Sequence, residues 1–463
     1  MTTPSNASRR AFLQRASALS IAGAATPWAL NLAAMGEAAA ATATDYKALV
    51  CVFLYGGNDY GNTLIPYDAA RYAAYQGMRP TLAYAHSALT PTLLTPTVAL
   101  PGGLQYALAP ELLPLRPIFD ARRMAVMLNV GTLVEPTTKL QYTNKSVALP
   151  PKLFSHNDQQ SVWQSSSPEG ATSGWGGRMG DLFEAGNGNA TFTCINVSNN
   201  AVFLSGKHTV QYQVSTSGPV ALRGVKSPLF GSAACSAALK NLVTAPSAHL
   251  FEDEYARIMS RSLTAGDQLS AALDTGRVLT TPFPVGNPLA DQLKLVARMI
   301  STAADVGARR QVYFVSLGGF DNHDGLAVVH PGLLSNVASA LAAFDTVLTD
   351  ELHVSSQVTT FTASDFGRTL TANDGSDHGW GSMHFMLGGA VSGAQFYGAP
   401  PVVANNGPDD VGQGRLLPST SVDQYAATLG KWFGISDADL LTVLPNLRNW
   451  NALQRDLGFL RGM

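Results

Sequence analysis

Two residues past the glycine pair Gly318-Gly319, the chain carries Asp321, His323 and Asp324. A carboxylate and an imidazole two positions apart supply the oxygen and nitrogen donors that a hard or borderline divalent cation takes. The arrangement recurs. Gly56 and Gly57 precede Asn58, Asp59 and Asn62; Ser364 and Asp365 precede Gly367 and Arg368; and His378 follows in DGSDHGWG. Asp59, Asp321, His323, Asp365 and His378 therefore form the candidate ligand set for a divalent metal. Mixed carboxylate and imidazole ligation suits zinc or manganese better than copper, and calcium or magnesium would use fewer histidines. Each residue has a plain alternative, since aspartate and glycine are also ordinary turn formers at strand ends.

These residues need elements that bring them together. Residues 48–55 (ALVCVFLY), 311–317 (QVYFVSL) and 357–362 (QVTTFT) are apolar, β-rich runs that stop at the small residues just named. They read as buried strands of a parallel sheet. In open α/β sheets ligands gather beyond the carboxyl ends of the strands, so the turns carrying Asp59, Asp321 and Asp365 fall along one edge. A fourth strand, Met124 to Val130, follows a helix that begins at Pro110 and buries Leu112, Leu113, Leu115 and Phe119. The fold class is α/β, with a mostly parallel central sheet flanked by helices.

A further polar cluster, Ser155-His156-Asn157-Asp158-Gln159-Gln160, opens an amphipathic helix. Ser155 and Asp158 make a pair resembling a capping box, which accounts for both as helix-start residues. The functional reading puts the Ser155 hydroxyl at a helix N-terminus facing the metal edge, as a nucleophile, with His156 as a ligand or an acid/base group. Arg368 either orients an anionic ester or pairs with Asp365.

The N-terminus reads Ser8-Arg9-Arg10-Ala11-Phe12-Leu13, a twin-arginine export signal, followed by an alanine-rich apolar segment and small residues from Ala38 to Ala41. The mature chain is expected to begin near residue 41, in the periplasm or outside the cell, after passage through the twin-arginine machinery. The chain has 463 residues, 46% hydrophobic and 13% charged, with 30 basic and 32 acidic side chains. That composition supports a large core and gives no reason to expect nucleic acid or an anionic membrane as partner. No segment after the signal reads as membrane-spanning. Cys51, Cys194 and Cys235 have no metal-type spacing; a Cys194–Cys235 disulfide is the one pairing open to them.

The glycine-rich stretch from Gly174 to Gly180 lacks dinucleotide-loop spacing and reads as a turn into a helix. Residues 191–197 and 209–214 read as hairpin-like strands, residues 232–305 as helices, and residues 333–352 as the helix joining two sheet strands. Residues 41–463 are thus one domain, with a helical and hairpin insertion or cap at about residues 190–306.

Taken together, GGNDYGNTLIPYD (56–68), residues 106–131, SHNDQQSVWQ (155–164), GGFDNHDG (318–325), SDFGRT (364–369) and DHGWG (377–381) resemble the bacterial family called domain of unknown function 1501. That family lies in the alkaline phosphatase and sulfatase superfamily, so the resemblance implies a three-layer alkaline phosphatase-like sandwich. It also implies one or two divalent metals. On that pattern Asp59 resembles the first-strand ligand, Ser155 the nucleophile, Asp321 and His323 the later Asp and His, and His378 the final His. Two departures stand out. The phosphatase branch spaces its Asp and His four apart, against two here, and has Asp-His where this chain has Asp365-Phe366. A single-ion site, or a site with water or His156 filling the gap, is therefore expected rather than a full two-metal centre.

Two function classes follow. One is an exported, metal-dependent hydrolase of phosphate or sulfate esters, acting on a small or polymer-borne anionic ester. The other is a non-catalytic envelope or extracellular binding protein that keeps the fold without the full metal site. A nucleophile-elbow serine hydrolase is disfavoured because no G-x-S-x-G occurs.

Overall fold

Alternation of apolar residues on two faces builds the central sheet. A computed structural model describes residues 43–198, 201–371 and 374–462. The expected export signal and cleavage site lie outside the described residues. The strands are β1 (Lys47–Leu54), β2 (Leu64–Pro66), β3 (Tyr106–Leu108), β4 (Met124–Gly131), β5 (Cys194–Asn196), β6 (Tyr212–Ser215), β7 (Gly218–Pro219), β8 (Arg310–Leu317), β9 (Val358–Ser364), β10 (Ser382–Leu387), β11 (Phe396–Tyr397) and β12 (Thr420–Ser421). The main sheet runs β11-β4-β10-β9-β1-β8-β5-β6-β7, with β12 also on β4, while β2 and β3 form a separate pair.

β1 pairs in parallel with β8 on one side and β9 on the other, in registers that set Leu54 opposite both Leu317 and Ser364. β10 is antiparallel to both β9 and β4, so it starts at the edge where those two strands end. The expected strands therefore form and their carboxyl ends share an edge.

Along β1, Val50, Val52 and Leu54 enter one core with Val315 of β8 and Leu334, Val337, Leu341 and Phe344 of the helix Leu326–Thr346. The alternate residues Leu49, Cys51 and Phe53 enter a second core with Phe314, Phe361, Trp175, Tyr425 and Trp432. Period-two alternation thus buries both faces, and helices cover each one, giving three layers. The second face is closed by the helices Trp175–Phe183 and Val422–Phe433. The first of these starts at the glycine-rich stretch, as a turn into a helix.

Three expectations need correction. β5 and β6 are parallel neighbours rather than a hairpin; the hairpin is β6 with β7. The segment from Pro110 is a 3-10 turn to Leu115 followed by a short helix, and Leu113 faces solvent because the tighter turn rotates it off the buried stripe. The span Leu326–Glu351 is long and apolar enough to cross a membrane by length and composition. Its apolar stripe nevertheless packs on the sheet, which accounts for that composition in a core helix. All three cysteines are free, with Cys51 and Cys194 buried.

Candidate metal centre

The turns beyond β1, β8 and β9 are stitched to one another before any ligand is considered. Phe320 N–H donates to Tyr55 O at 3.1 Å, Asn58 N–H to Ser364 Oγ at 2.9 Å, and Ser364 Oγ to Leu54 O at 2.6 Å. The loop before β10 brings in His378, and the helix His156–Ser165 brings in His156 at its first position.

At this edge His156, Asp321 and His378 offer ligand atoms that all lie within 4.8 Å of one another. His156 Nε2 stands 3.0 Å from His378 Nε2 and 3.3 Å from Asp321 Oδ1, and His378 Nε2 is 3.3 Å from the same oxygen. Ligand atoms at tetrahedral corners about 2.0–2.1 Å from zinc stand about 3.3 Å apart. The three atoms therefore have the spacing of three such corners, leaving the fourth for a substrate or water. His323 Nε2 is 3.0 Å from both His378 Nε2 and Asp321 Oδ1, on the flank of this trio.

The outer nitrogens explain why the inner ones converge. His378 Nδ1 lies 2.6 Å from Phe154 O, and a carbonyl only accepts, so Nδ1 carries the proton and Nε2 presents its lone pair. His156 Nδ1 meets Asp365 Oδ2 at 2.6 Å. His323 Nδ1 meets Asp377 Oδ1 at 3.2 Å. With Nδ1 as the donor, the Nε2 atoms of His156 and His378 face each other and a carboxylate, an acceptor-rich arrangement that a cation or an added proton must satisfy. Oriented histidines of this kind are what metal ligation uses. The donor set fits a divalent ion, for which His156, Asp321 and His378 would supply the ligand atoms with His323 alongside.

Protonation follows the same contacts. The hydrogen bond to Asp365 raises the His156 pKa, whereas burial lowers that of His378. Burial pushes the Asp321 carboxyl up, but the Arg368 guanidinium outweighs it and holds the group at about 2.

The structure does not bring every expected residue to this point. Asp59 was expected as the first-strand ligand; instead Arg79 Nη1 and Nη2 donate to its two oxygens at 2.8 and 2.5 Å, and Ser376 Oγ and Asn62 N–H take further positions. With both oxygens engaged and the residue 1% exposed, Asp59 is a structural anion. Asp365, also expected as a ligand, accepts from Gly56 N–H, Gln160 Nε2 and His156 Nδ1, so it orients the His156 ring. Ser155 is the N-cap residue, and its hydroxyl donates to Asp158 Oδ2 at 2.9 Å instead of facing the trio.

Arg368 pairs with Asp321, not Asp365. It is buried and donates also to the carbonyls of Gly56, Gly57, Phe320 and Ser376, which uses its donors on the fold. Sequence reasoning missed Arg79, Gln160, Asp377 and the Phe154 carbonyl. Only Gln160 and Asp377 carried a signal, as polar neighbours of His156 and His378 within the motifs.

Among solved structures, the chain is similar to Ps i-CgsB in complex with k-i-k-neocarrahexaose, at 10% identity and a TM-score of 0.35 over 88% of this chain and 77% of that one. It is similar to the PsFucS1 sulfatase from Pseudoalteromonas sp., at 11% identity and a TM-score of 0.33 over 85% and 68%. The alkaline phosphatase from the Antarctic bacterium TAB5 gives 9% identity and a TM-score of 0.30 over 87% and 99%. No curated protein matches the chain. The family described as protein of unknown function (DUF1501) matches residues 46–444, and the chain belongs to that family.

Proposed function

We propose that this is an exported, metal-dependent hydrolase of phosphate or sulfate esters, working in the periplasm or outside the cell. The observation that carries the reading is the convergence of His156 Nε2, His378 Nε2 and Asp321 Oδ1, each histidine fixed through Nδ1 by a group that only accepts. A bound divalent ion would supply Lewis acidity toward an ester oxygen there. The chain's own residues hold the donors still: Asp365 and Phe154 O set the ring planes, and Arg368 fixes Asp321 against the β1 turn. Partial exposure of Asp321 and His323 leaves the edge open to an ester carried by a small molecule or a polymer.

The second reading, a binding protein without catalysis, is favoured by one observation. Asp59 is neutralised by Arg79, so the first-strand ligand of the phosphatase pattern is withdrawn.

Metal content of the mature protein, purified after native export, tests the proposal beside the double variant Asp321→Ala, His378→Ala. Close to one equivalent of zinc or manganese in the wild type, none in the variant, and metal-dependent cleavage within a panel of phosphate and sulfate esters are expected. Bound metal without cleavage of any ester in the panel favours the binding protein. Absence of metal from both proteins after zinc and manganese are supplied would sink the hydrolase reading.

A further inference from the structure

An anionic ester approaching this edge meets the exposed carboxylates of Asp321, Asp324, Asp374 and Asp377. It needs a cation besides any metal. The two buried arginines at the edge are spent, Arg79 on Asp59 and Arg368 on Asp321. Arg415 is not. Its Nε donates to His378 O at 2.7 Å, and its guanidinium lies over the Phe154 ring at 4.9 Å. Those are the two residues whose mutual hydrogen bond orients the His378 imidazole. Nη1 reaches only Gly412 O of its own turn, at 3.5 Å, and among the described residues no carboxylate pairs with Arg415.

The loop beneath Arg415 is built to hold it. Buried Asp410 accepts from Gly412 N–H at 2.6 Å and Gly414 N–H at 2.8 Å through one oxygen, and from Asn406 N–H at 2.7 Å through the other. Arg415 N–H and O close the same turn with Gly412 and Val411. Gly414 O accepts from Tyr60 Oη and Leu370 N–H, and Leu416 O from Gly381 N–H, which ties the loop to the strand ends. With one edge anchored and one face covered, the guanidinium keeps its Nη1/Nη2 fork, the edge that matches two oxygens of a tetrahedral oxyanion.

We infer that Arg415 is the anion-binding residue of this edge, its Nη fork taking two non-bridging oxygens of a phosphate or sulfate group. This deepens the hydrolase reading and rests on it for the ester, though not for the anion. A lysine would keep the charge and lose the fork.

The test measures binding of inorganic phosphate and inorganic sulfate by calorimetry to wild type, Arg415→Ala, Arg415→Gln and Arg415→Lys. Each protein is used chelator-stripped and after zinc or manganese loading, with metal content and unfolding midpoint recorded. Loss of at least about tenfold in affinity for Arg415→Ala and Arg415→Gln, partial recovery in Arg415→Lys and unchanged zinc content are expected. If Arg415→Ala fails to fold, Arg415→Gln decides. Affinity within twofold of wild type in a folded variant, or no binding of either anion by the wild type, overturns the assignment. Failure of the wild type to take either zinc or manganese while Arg415-dependent anion binding persists removes the hydrolase reading and leaves Arg415 standing.

Discussion

Arg79 and Asp59 form a two-pronged ion pair in the interior, with hydrogen bonds of 2.8 and 2.5 Å and neither side chain more than 1% exposed. The pair engages both oxygens of the carboxylate that the sequence offered as a first-strand metal ligand. It also fixes the β1 turn, because Arg79 donates to the carbonyls of Thr369 and Leu370 as well. Removing one partner strands a buried charge, which costs about 3–5 kcal/mol. Asp59→Asn and Arg79→Met should each lower stability by that order in urea unfolding. Asp59→Asn should leave the zinc stoichiometry of the folded fraction unchanged, whereas Asp321→Asn should lower it. Loss of zinc from folded Asp59→Asn equal to that in Asp321→Asn would return Asp59 to the ligand set.

Asp365 acts on the trio through His156. It is 1% exposed, and its oxygens accept from a backbone amide, an amide side chain and an imidazole. Gln160 and His156 both donate to Oδ2 and Gly56 N–H to Oδ1, so Asp365→Asn, which keeps the volume but turns one oxygen into a donor and removes the charge, leaves either the Gly56 amide or the Gln160–His156 pair without its acceptor. Zinc affinity, read by competition with a chelator, is expected to fall about 10–100-fold while stoichiometry at saturating zinc is kept. A direct ligand role would abolish the stoichiometry instead.

How much of this was legible in the sequence depends on the length scale of each interaction. β1, β4, β8 and β9 were readable because their apolar runs are continuous and end at glycine or serine, and the edge followed from parallel pairing. Asp321, His323 and His378 were readable as donors at that edge. What separates a ligand from an orienting carboxylate was not, since Asp321 and Asp365 are the same residue type after the same kind of strand. The difference comes from neighbours far along the chain: Gln160 beside Asp365, and Arg368 beside Asp321. Ser155 misled for a local reason, because a helix-start serine looks the same whether its hydroxyl faces a metal or Asp158. Arg79 and Arg415 gave no local signal; both are set by loops that fold back across the edge.

Gly56 tests the closeness of the turns. Its φ is +114°, and a Cβ there would stand 2.4 Å from Asp321 N. Both the backbone conformation and the space demand glycine. Gly56→Ala should therefore push the β8 turn away from β1, with a loss of about 2 kcal/mol or more and weakened zinc binding through displaced Asp321. Gly77, where a Cβ meets nothing within 4 Å, is the control: Gly77→Ala in its helix should be neutral or stabilising. Equal effects of the two substitutions on zinc affinity would remove the argument.

Two buried histidines outside the trio give the fold an acid limit. His330 Nε2 donates to Asn58 Oδ1 at 2.9 Å, and burial lowers its pKa to about 4. His384 Nδ1 faces Thr362 Oγ1 at 3.2 Å, and burial lowers its pKa to about 3. Between these values and the ordinary imidazole pKa of about 6.5, each is neutral when folded and protonated when unfolded. The unfolded state then binds the extra protons, so stability falls on acidification by about 1.4 kcal/mol per pH unit for each group. Asp59 adds to the loss lower down. Burial raises its carboxyl pKa, Arg79 outweighs that to hold it at about 2, and its contribution is present above the ordinary carboxylate value and lost as pH falls through that lower range. Metal-free protein should show an unfolding free energy that declines from about pH 6.5 to pH 4. His330→Gln, which keeps a donor for Asn58 and does not titrate, should flatten that slope, and His384→Gln should flatten it further. A slope unchanged in both variants would mean that the two imidazoles take up protons in the folded state, against their burial.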